Sequence, residues 1–197
     1  MSGREDIERI MQNEGQVKGA VFLTDARYVK RHFGKAGLEK AQEKLRAWGH
    51  PIDYDKVKAM GWYPAGLRAL SLLAISEALG FNDEQVFAMG LEGPKHSFLI
   101  KLLLKLFVSV QKVFENAPLV WRRHWTTGSI ELVEIDEATG RIVVRLNDIK
   151  LHPLFCKYEE GYFTGIARLS QPNASARETK CMFRGDHYHE YVFHWKG

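Results

Sequence analysis

The two cysteines of this chain, Cys156 and Cys181, constrain its fold more than any other residues. Cys181 stands in the run Glu178-Thr179-Lys180-Cys181-Met182-Phe183-Arg184-Gly185-Asp186-His187-Tyr188-His189, where a carboxylate, a thiol and two imidazoles flank a Gly-Asp turn. Cys156 lies upstream, just after His152-Pro153. Two sulfurs, a carboxylate and an imidazole form a four-donor set that Zn²⁺ accepts in tetrahedral geometry. If the cysteines converge, the segment around Cys156 must pack on the last hairpin, and the C-terminal half gains one organising point. Side chains alternate along a strand, so Glu178 and Cys181, three apart, face opposite sides of a regular one. They converge only where the strand ends and the chain turns, which Gly185-Asp186 supplies. On spacing alone the imidazole is either His187 or His189.

The hydrophobic period places that run in a larger plan. Residues 4–12 read as a short amphipathic helix and Gln16 to Thr24 as a strand. Asp25 then caps a helix running to Gly34. A second helix covers Ala36 to Trp48 and stops at Gly49-His50-Pro51. Trp62-Tyr63-Pro64 opens another, with a leucine-rich stripe to Gly80. A short helix capped by Asn82 or Asp83 ends near Met89 and breaks at Gly93-Pro94, and a long helix follows from His96 to Glu115. From Gly128 the apolar residues alternate instead. Residues 128–136 and 141–146 predict a hairpin, Leu154 to Leu169 a helix, and 176–183 with 188–195 a final hairpin. The fold class is therefore α+β, a helical N-terminal half followed by an antiparallel sheet in ββαββ order. One domain over 1–197 is expected, mainly helical over 1–125, with the ββαββ portion over 126–197.

Composition excludes several classes. The chain has 197 residues, 45% hydrophobic and 26% charged, as in an ordinary globular protein. A net charge of +4, dispersed except at Arg122-Arg123-His124, gives no nucleic-acid footprint. Two cysteines are too few for a disulfide scaffold, and the charged N-terminus has no signal region, so a cytoplasmic setting is the expectation. The apolar stretch Ser97 to Val110 is interrupted by Lys101 and Lys105 and falls short of the roughly 20 residues that span a bilayer, so no membrane span is expected.

The motifs P-L-F-C-x-x-x-E-G-Y-F-T-G at 153–165 and E-T-K-C-x-x-x-G-D-x-x-H at 178–189 resemble the 4-vinyl reductase (V4R) domain. V-K-G-A-V-F at 17–22, G-L-E-K at 37–40 and W-Y-P at 62–64 resemble V4R-related bacterial proteins, so the likeness covers nearly the whole chain. In V4R-type sensor domains of aromatic-responsive regulators, a cysteine before the helix, a glutamate and two further cysteines gather on zinc. The resemblance implies that Cys156, Glu178, Cys181 and His189 hold a structural zinc here, with histidine in place of the last cysteine and His187 as a competitor. It also implies a fold shared with haem-based nitric-oxide sensors and vesicle-tethering subunits, enclosing an apolar cavity.

Under that resemblance, His96, Phe107, Trp121, Trp125, Tyr158, Tyr162 and Phe163 line a pocket for a small hydrophobic or aromatic ligand, with His96 and Trp125 bonding its polar group. Haem would need an axial histidine (His96 or His124) and cations for its propionates (Arg122, Arg123). The Tyr-x-Ser-x-Arg signature of the haem-binding relatives is absent, so haem is set aside. There is no Walker loop and no Gly-x-Gly-x-x-Gly, and Cys181 lacks a nucleophile's setting. The expectation is a non-catalytic sensory or carrier domain, paired as a homodimer as related sensors are and signalling to a partner protein. The alternatives are a lipid-holding assembly subunit, a tetrapyrrole- or haem-handling protein, and an enzyme related to tetrapyrrole vinyl reduction.

Overall fold

The computed structural model describes residues 3–96 and 110–195. Helix α1 (Arg4–Met11) lays Ile7 and Ile10 on the core. Strand β1 (Gln16–Lys18) pairs antiparallel with β2 (Trp62–Pro64), and helix α2 (Ala20–Ala47) runs between them. Helices α3 (Ala65–Leu79) and α4 (Asp83–His96) complete the first half. After the undescribed segment come α5 (Val110–Glu115) and α6 (Ala117–His124). The second half is β3 (Ser129–Asp136), β4 (Arg141–Asn147), α7 (Pro153–Arg168), β5 (Ser175–Lys180), a 3₁₀ turn at Met182–Arg184 and β6 (His189–His194). Its four strands form one antiparallel sheet in the order β3-β4-β6-β5. The chain is α+β, as the change of period predicts.

Several local expectations are corrected. The strand expected over 16–24 stops at Lys18, because Phe22, Asp25, Ala26 and Val29 bury one helical face of α2. Asp25 therefore caps nothing; it lies inside the helix with 1% exposure. The two helices expected over 25–48 are present and meet at Gly34, whose φ of 68° only glycine adopts without strain, although the first begins earlier, at Ala20. Trp62-Tyr63-Pro64 forms a short strand and leads directly into α3, with Pro64 at the helix N-cap and Gly80 at its C-cap. Gly93-Pro94 does not break α4, which continues to His96. The predicted helix from His96 to Glu115 is described only over 110–115. It is followed by a separate helix, α6, that the periodicity did not resolve.

The reason α4 runs through its glycines is its neighbour. A Cβ on Gly161 of α7 would collide with the Phe87 carbonyl oxygen, and one on Gly90 of α4 would collide with that of Tyr158. A Cβ on Gly165 would meet the Leu91 carbonyl oxygen at 2.5 Å. The two helices thus cross at backbone contact, a distance that only glycine allows. The opposite side of α7 packs on β5 and β6, where Phe163 meets Tyr191 and Phe193 edge to face, centroids 4.9 and 5.8 Å apart. Helix α7 is the layer between the helical half and the sheet.

Candidate functional site

Three local features bring the cysteines together. The Nδ1 of His152 accepts from the Leu154 N–H at 3.1 Å, and with Pro153 next in the chain it fixes the start of α7 and hence Cys156. Strand β5 carries a bulge between Glu178 and Lys180. One extra residue shifts the alternation by one, so Glu178 and Cys181 reach the same side although three apart. Beyond the strand, the Cys181 N–H donates to Asp186 Oδ2 at 2.8 Å, which holds the turn. The condition that Cys181 sit where the strand ends is met. The bulge is the device that the sequence did not reveal.

Cys156, Glu178, Cys181 and His189 each present a donor atom, and these atoms all lie within 4.8 Å of one another. The sulfurs are 3.8 Å apart, Cys156 Sγ is 3.6 Å from His189 Nδ1, and Nδ1 is 2.9 Å from Glu178 Oε1. His189 Nε2 lies 3.1 Å from the Ile149 carbonyl oxygen. A carbonyl only accepts, so the proton of a neutral His189 belongs on Nε2, and Nδ1 turns a lone pair towards the sulfurs and the carboxylate. Four groups able to ligate a cation then face one point. Burial, with Glu178 and Cys181 beside it, pushes the Cys156 thiol well above its usual value, since a second anion there is unfavourable. A cation would reverse each of these repulsions. His187 is exposed and outside the cluster, which decides between the two imidazoles in geometric terms.

The residues expected to line a pocket divide into two groups. Trp121 and Trp125 stack at 5.4 Å, Trp125 meets Phe155 at 5.7 Å, and Phe163 joins the sheet aromatics. Tyr158 and Tyr162 stack at 6.3 Å on the side of α7 that faces α4, where Gly93 leaves room for the Tyr162 ring. Phe107 and the side chain of His96 lie outside the described residues. His124 sets Nδ1 3.0 Å from the Val120 carbonyl oxygen, while Arg122 and Arg123 are exposed.

Sequence reasoning missed a buried polar network in the helical half. Arg68 of α3 donates to Asp25 of α2, both about 1% exposed. Tyr158 Oη donates to the other Asp25 oxygen at 3.0 Å, and its ring lies 4.8 Å from the Arg68 guanidinium. Tyr54 Oη and Ser71 Oγ bond at 2.8 Å alongside. Burial disfavours charge on both ions: it pushes the Asp25 carboxyl up, while Asp25 and nearby acidic groups keep Arg68 above its usual value. A guanidinium does not deprotonate in proteins, so Arg68 keeps its charge, and Asp25 is the only acidic side chain that hydrogen-bonds it among the described residues. Only the pattern of a buried Arg on an otherwise apolar helix would have pointed to it.

Glu159, next to Tyr158, is 6% exposed and makes no hydrogen bond among the described residues. Burial pushes its carboxyl up to about 8, against the pull of Arg68. The folded protein therefore holds this proton where the unfolded chain releases it. The stabilisation is complete below about 4.5 and is lost as pH rises through about 8. His152, held below 6.5 chiefly by burial, gives the opposite slope up to that pH, so between 6.5 and 8 it no longer opposes the Glu159 effect, while Asp25, raised by burial, slopes the same way as Glu159 and is separated from it by the variant. In that window stability is expected to fall by at most about 1.4 kcal/mol per pH unit. Urea unfolding at stepped pH should show that slope in the native chain and its loss in Glu159→Gln; equal slopes would refute the assignment.

No family model matches the chain, and no curated protein does. Solved structures do. An H-NOX protein from S. oneidensis in the Fe(II)NO ligation state superposes with a TM-score of 0.68 at 14% identity, over 91% of this chain and 99% of that one. An H-NOX structure determined to probe the function of haem distortion gives 0.64 at 15% identity, over 91% and 95%. The solution structure of an H-NOX domain from Shewanella oneidensis in the Fe(II)CO ligation state gives 0.66 at 16% identity, over 91% and 99%. The chain has the H-NOX fold, as the expected kinship with nitric-oxide sensors requires. The cofactor expectation is corrected by the same finding. It named zinc and set haem aside for want of Tyr-x-Ser-x-Arg, yet the proteins that share this fold are described by iron ligation state and haem distortion. The missing Tyr-x-Ser-x-Arg signature does not set haem aside against that finding, and both parts of that assignment are withdrawn.

Proposed function

We propose that this chain is a non-enzymatic, ligand-binding sensory domain of the V4R type on an H-NOX fold. Its ligand occupies the aromatic interior between the helical half and the sheet. A metal ion on Cys156, Glu178, Cys181 and His189 ties α7 to the final hairpin. The observation that carries the reading is the convergence of four donors from three separate elements on one buried point, on a fold whose solved examples are described by their bound ligands. The two sulfurs stand 3.8 Å apart, near enough for one cation to meet both. No helix of the described residues is long and apolar enough to cross a membrane.

The fold likeness favours a second reading for the interior, in which the ligand is haem. The described residues do not by themselves supply that site, because His124 is turned to a carbonyl and Arg122 and Arg123 face outward. The axial ligand would be His96, at the end of α4. Native mass spectrometry with elemental analysis and an absorbance scan separates these readings. The expected result is one metal ion per chain and a small molecule retained inside. A Soret band on adding haemin, abolished in His96→Ala, would assign haem. Absence of metal together with no bound molecule of either kind would overturn the proposal.

A further inference from the structure

The segment that leaves β4 touches the four-donor cluster through its backbone. Strand β4 ends at Asn147, paired with Ser129, and Asp148 then takes a φ of 55°, the only positive φ outside glycine among the described residues. In this left-handed region Cβ crowds the next carbonyl oxygen, and Asp tolerates it better than most residues. The Asp148 side chain is exposed, away from the buried cluster, so the residue acts on that cluster only through the path of the chain. The turn sends Ile149, 2% exposed, back into the core, and its carbonyl oxygen comes to rest 3.1 Å from His189 Nε2. Lys150 follows, with Nζ 5.3 Å from the centre of the Phe183 ring, which itself lies 6.0 Å from the His189 ring. Gly128 backs the turn closely: a Cβ there would meet Ile149 Cβ at 2.9 Å and the Asn147 carbonyl oxygen at 3.0 Å.

A neutral His189 has one ring proton and two acceptors that compete for it. Nδ1 lies 2.9 Å from Glu178 Oε1, and Nε2 lies 3.1 Å from the Ile149 carbonyl oxygen. A proton on Nδ1 would serve Glu178, but it would set the Nε2 lone pair against a buried carbonyl. It would also turn an N–H, not a lone pair, towards Cys156 Sγ, 3.6 Å away, and that nitrogen could not ligate a cation. The two acceptors are not equal. Glu178 has further donors in Arg184 Nη1 and Tyr191 Oη, each at 3.5 Å, whereas the Ile149 carbonyl has His189 alone among the described residues. Leaving that buried carbonyl without a donor is the costlier choice, so the proton goes to Nε2.

We infer that the left-handed turn at Asp148 is a positioning device for the cluster: it holds the Ile149 carbonyl on His189 Nε2, fixes the ring's tautomer and makes Nδ1 the ligating nitrogen. A carbonyl bound at the far nitrogen also strengthens the imidazole as a donor. The end of β4 thus belongs to the site, although it supplies none of the four donor atoms. This role presupposes a metal ion on the cluster and adds to that reading the group that selects one of its donor atoms.

The test uses the full chain with labelled histidine nitrogens. NMR reads the His189 tautomer in the metal-free protein at about pH 8.5, roughly two units above the ordinary histidine value. Absorbance titration with Co²⁺ as the metal probe reads affinity. The native ring is expected to carry its proton on Nε2. Asp148→Val places a β-branched residue where a positive φ is an outlier. It should move part of the ring population to the Nδ1–H tautomer and weaken Co²⁺ binding about tenfold or more. Asp148→Gly, which adopts the turn freely, should keep the native tautomer and an affinity within about twofold. A residue that serves stability alone would give Asp148→Val a lower unfolding free energy with native tautomer and native Co²⁺ affinity, and that result would overturn the inference. If Asp148→Val does not fold, the native ring still decides, because a proton on Nδ1 would overturn it equally. A native Nε2–H ring in a protein that binds no Co²⁺ would overturn the metal reading and the ligating role of Nδ1, while the turn's hold on the tautomer would stand.

Discussion

Cys181→Ala is expected to release the metal ion proposed at the four-donor cluster and to lower unfolding free energy by more than roughly 4 kcal/mol, the range of lost metal sites. For a chain of this length, that corresponds to a melting temperature lower by roughly 10 °C. The size follows from what the four donors join. Cys156 belongs to α7, Glu178 to β5, Cys181 to the turn beyond it and His189 to β6. Without the cation, a raised-pKa thiol, a carboxylate and an imidazole lone pair stay packed against one another, and Arg184, 3.5 Å from Glu178 and largely exposed, offsets only part of their repulsion. Chelation of the native protein should give the same loss, whereas His187→Ala, at an exposed position, should change neither metal content nor stability. Full stability in Cys181→Ala, with no metal in either protein, would remove the ion from the account.

Asp25→Leu is expected to cost about 3–5 kcal/mol, because it leaves Arg68 charged and buried without a counter-ion and takes the acceptor from Tyr158 Oη. Arg68→Met should cost less. The carboxyl it strands is already pushed towards its neutral form by burial and can take up a proton, which a guanidinium cannot give away. The double variant Asp25→Leu/Arg68→Met should be more stable than Asp25→Leu alone, because no charge remains to be stranded. Urea unfolding of the three variants at neutral pH measures all of this. Additive losses in the double variant would show that the two side chains do not act as a pair.

Legibility in the sequence followed the range of the interactions. The sheet was readable because alternation is local, and the donor set because it concentrates rare residue types in one run. The bulge after Glu178 was not, since a bulge is defined only by the partner strand. Asp25 was taken for a cap because Asp in that role is a local pattern, whereas its actual partners lie 43 and 133 residues away. Gly93-Pro94 looked like a stop for the same reason. What keeps α4 helical there is α7, far later in the chain, and the sequence of α4 carries no trace of it. Phe107 and the His96 side chain stay where the sequence left them, as proposals.

The strand order β3-β4-β6-β5 has a consequence for how the chain is made. Strand β6, the last strand among the described residues, is an inner strand in space, so β4 and β5 have no shared neighbour until residues 189–194 leave the ribosome. Helices α1–α4 and the β3–β4 hairpin can form while synthesis continues. Cys156, Glu178 and Cys181 meanwhile wait, thiols exposed, for His189 to arrive. The cluster therefore marks the moment at which the sheet closes, and a nascent chain stalled before that strand would display two reactive sulfurs that the finished protein conceals.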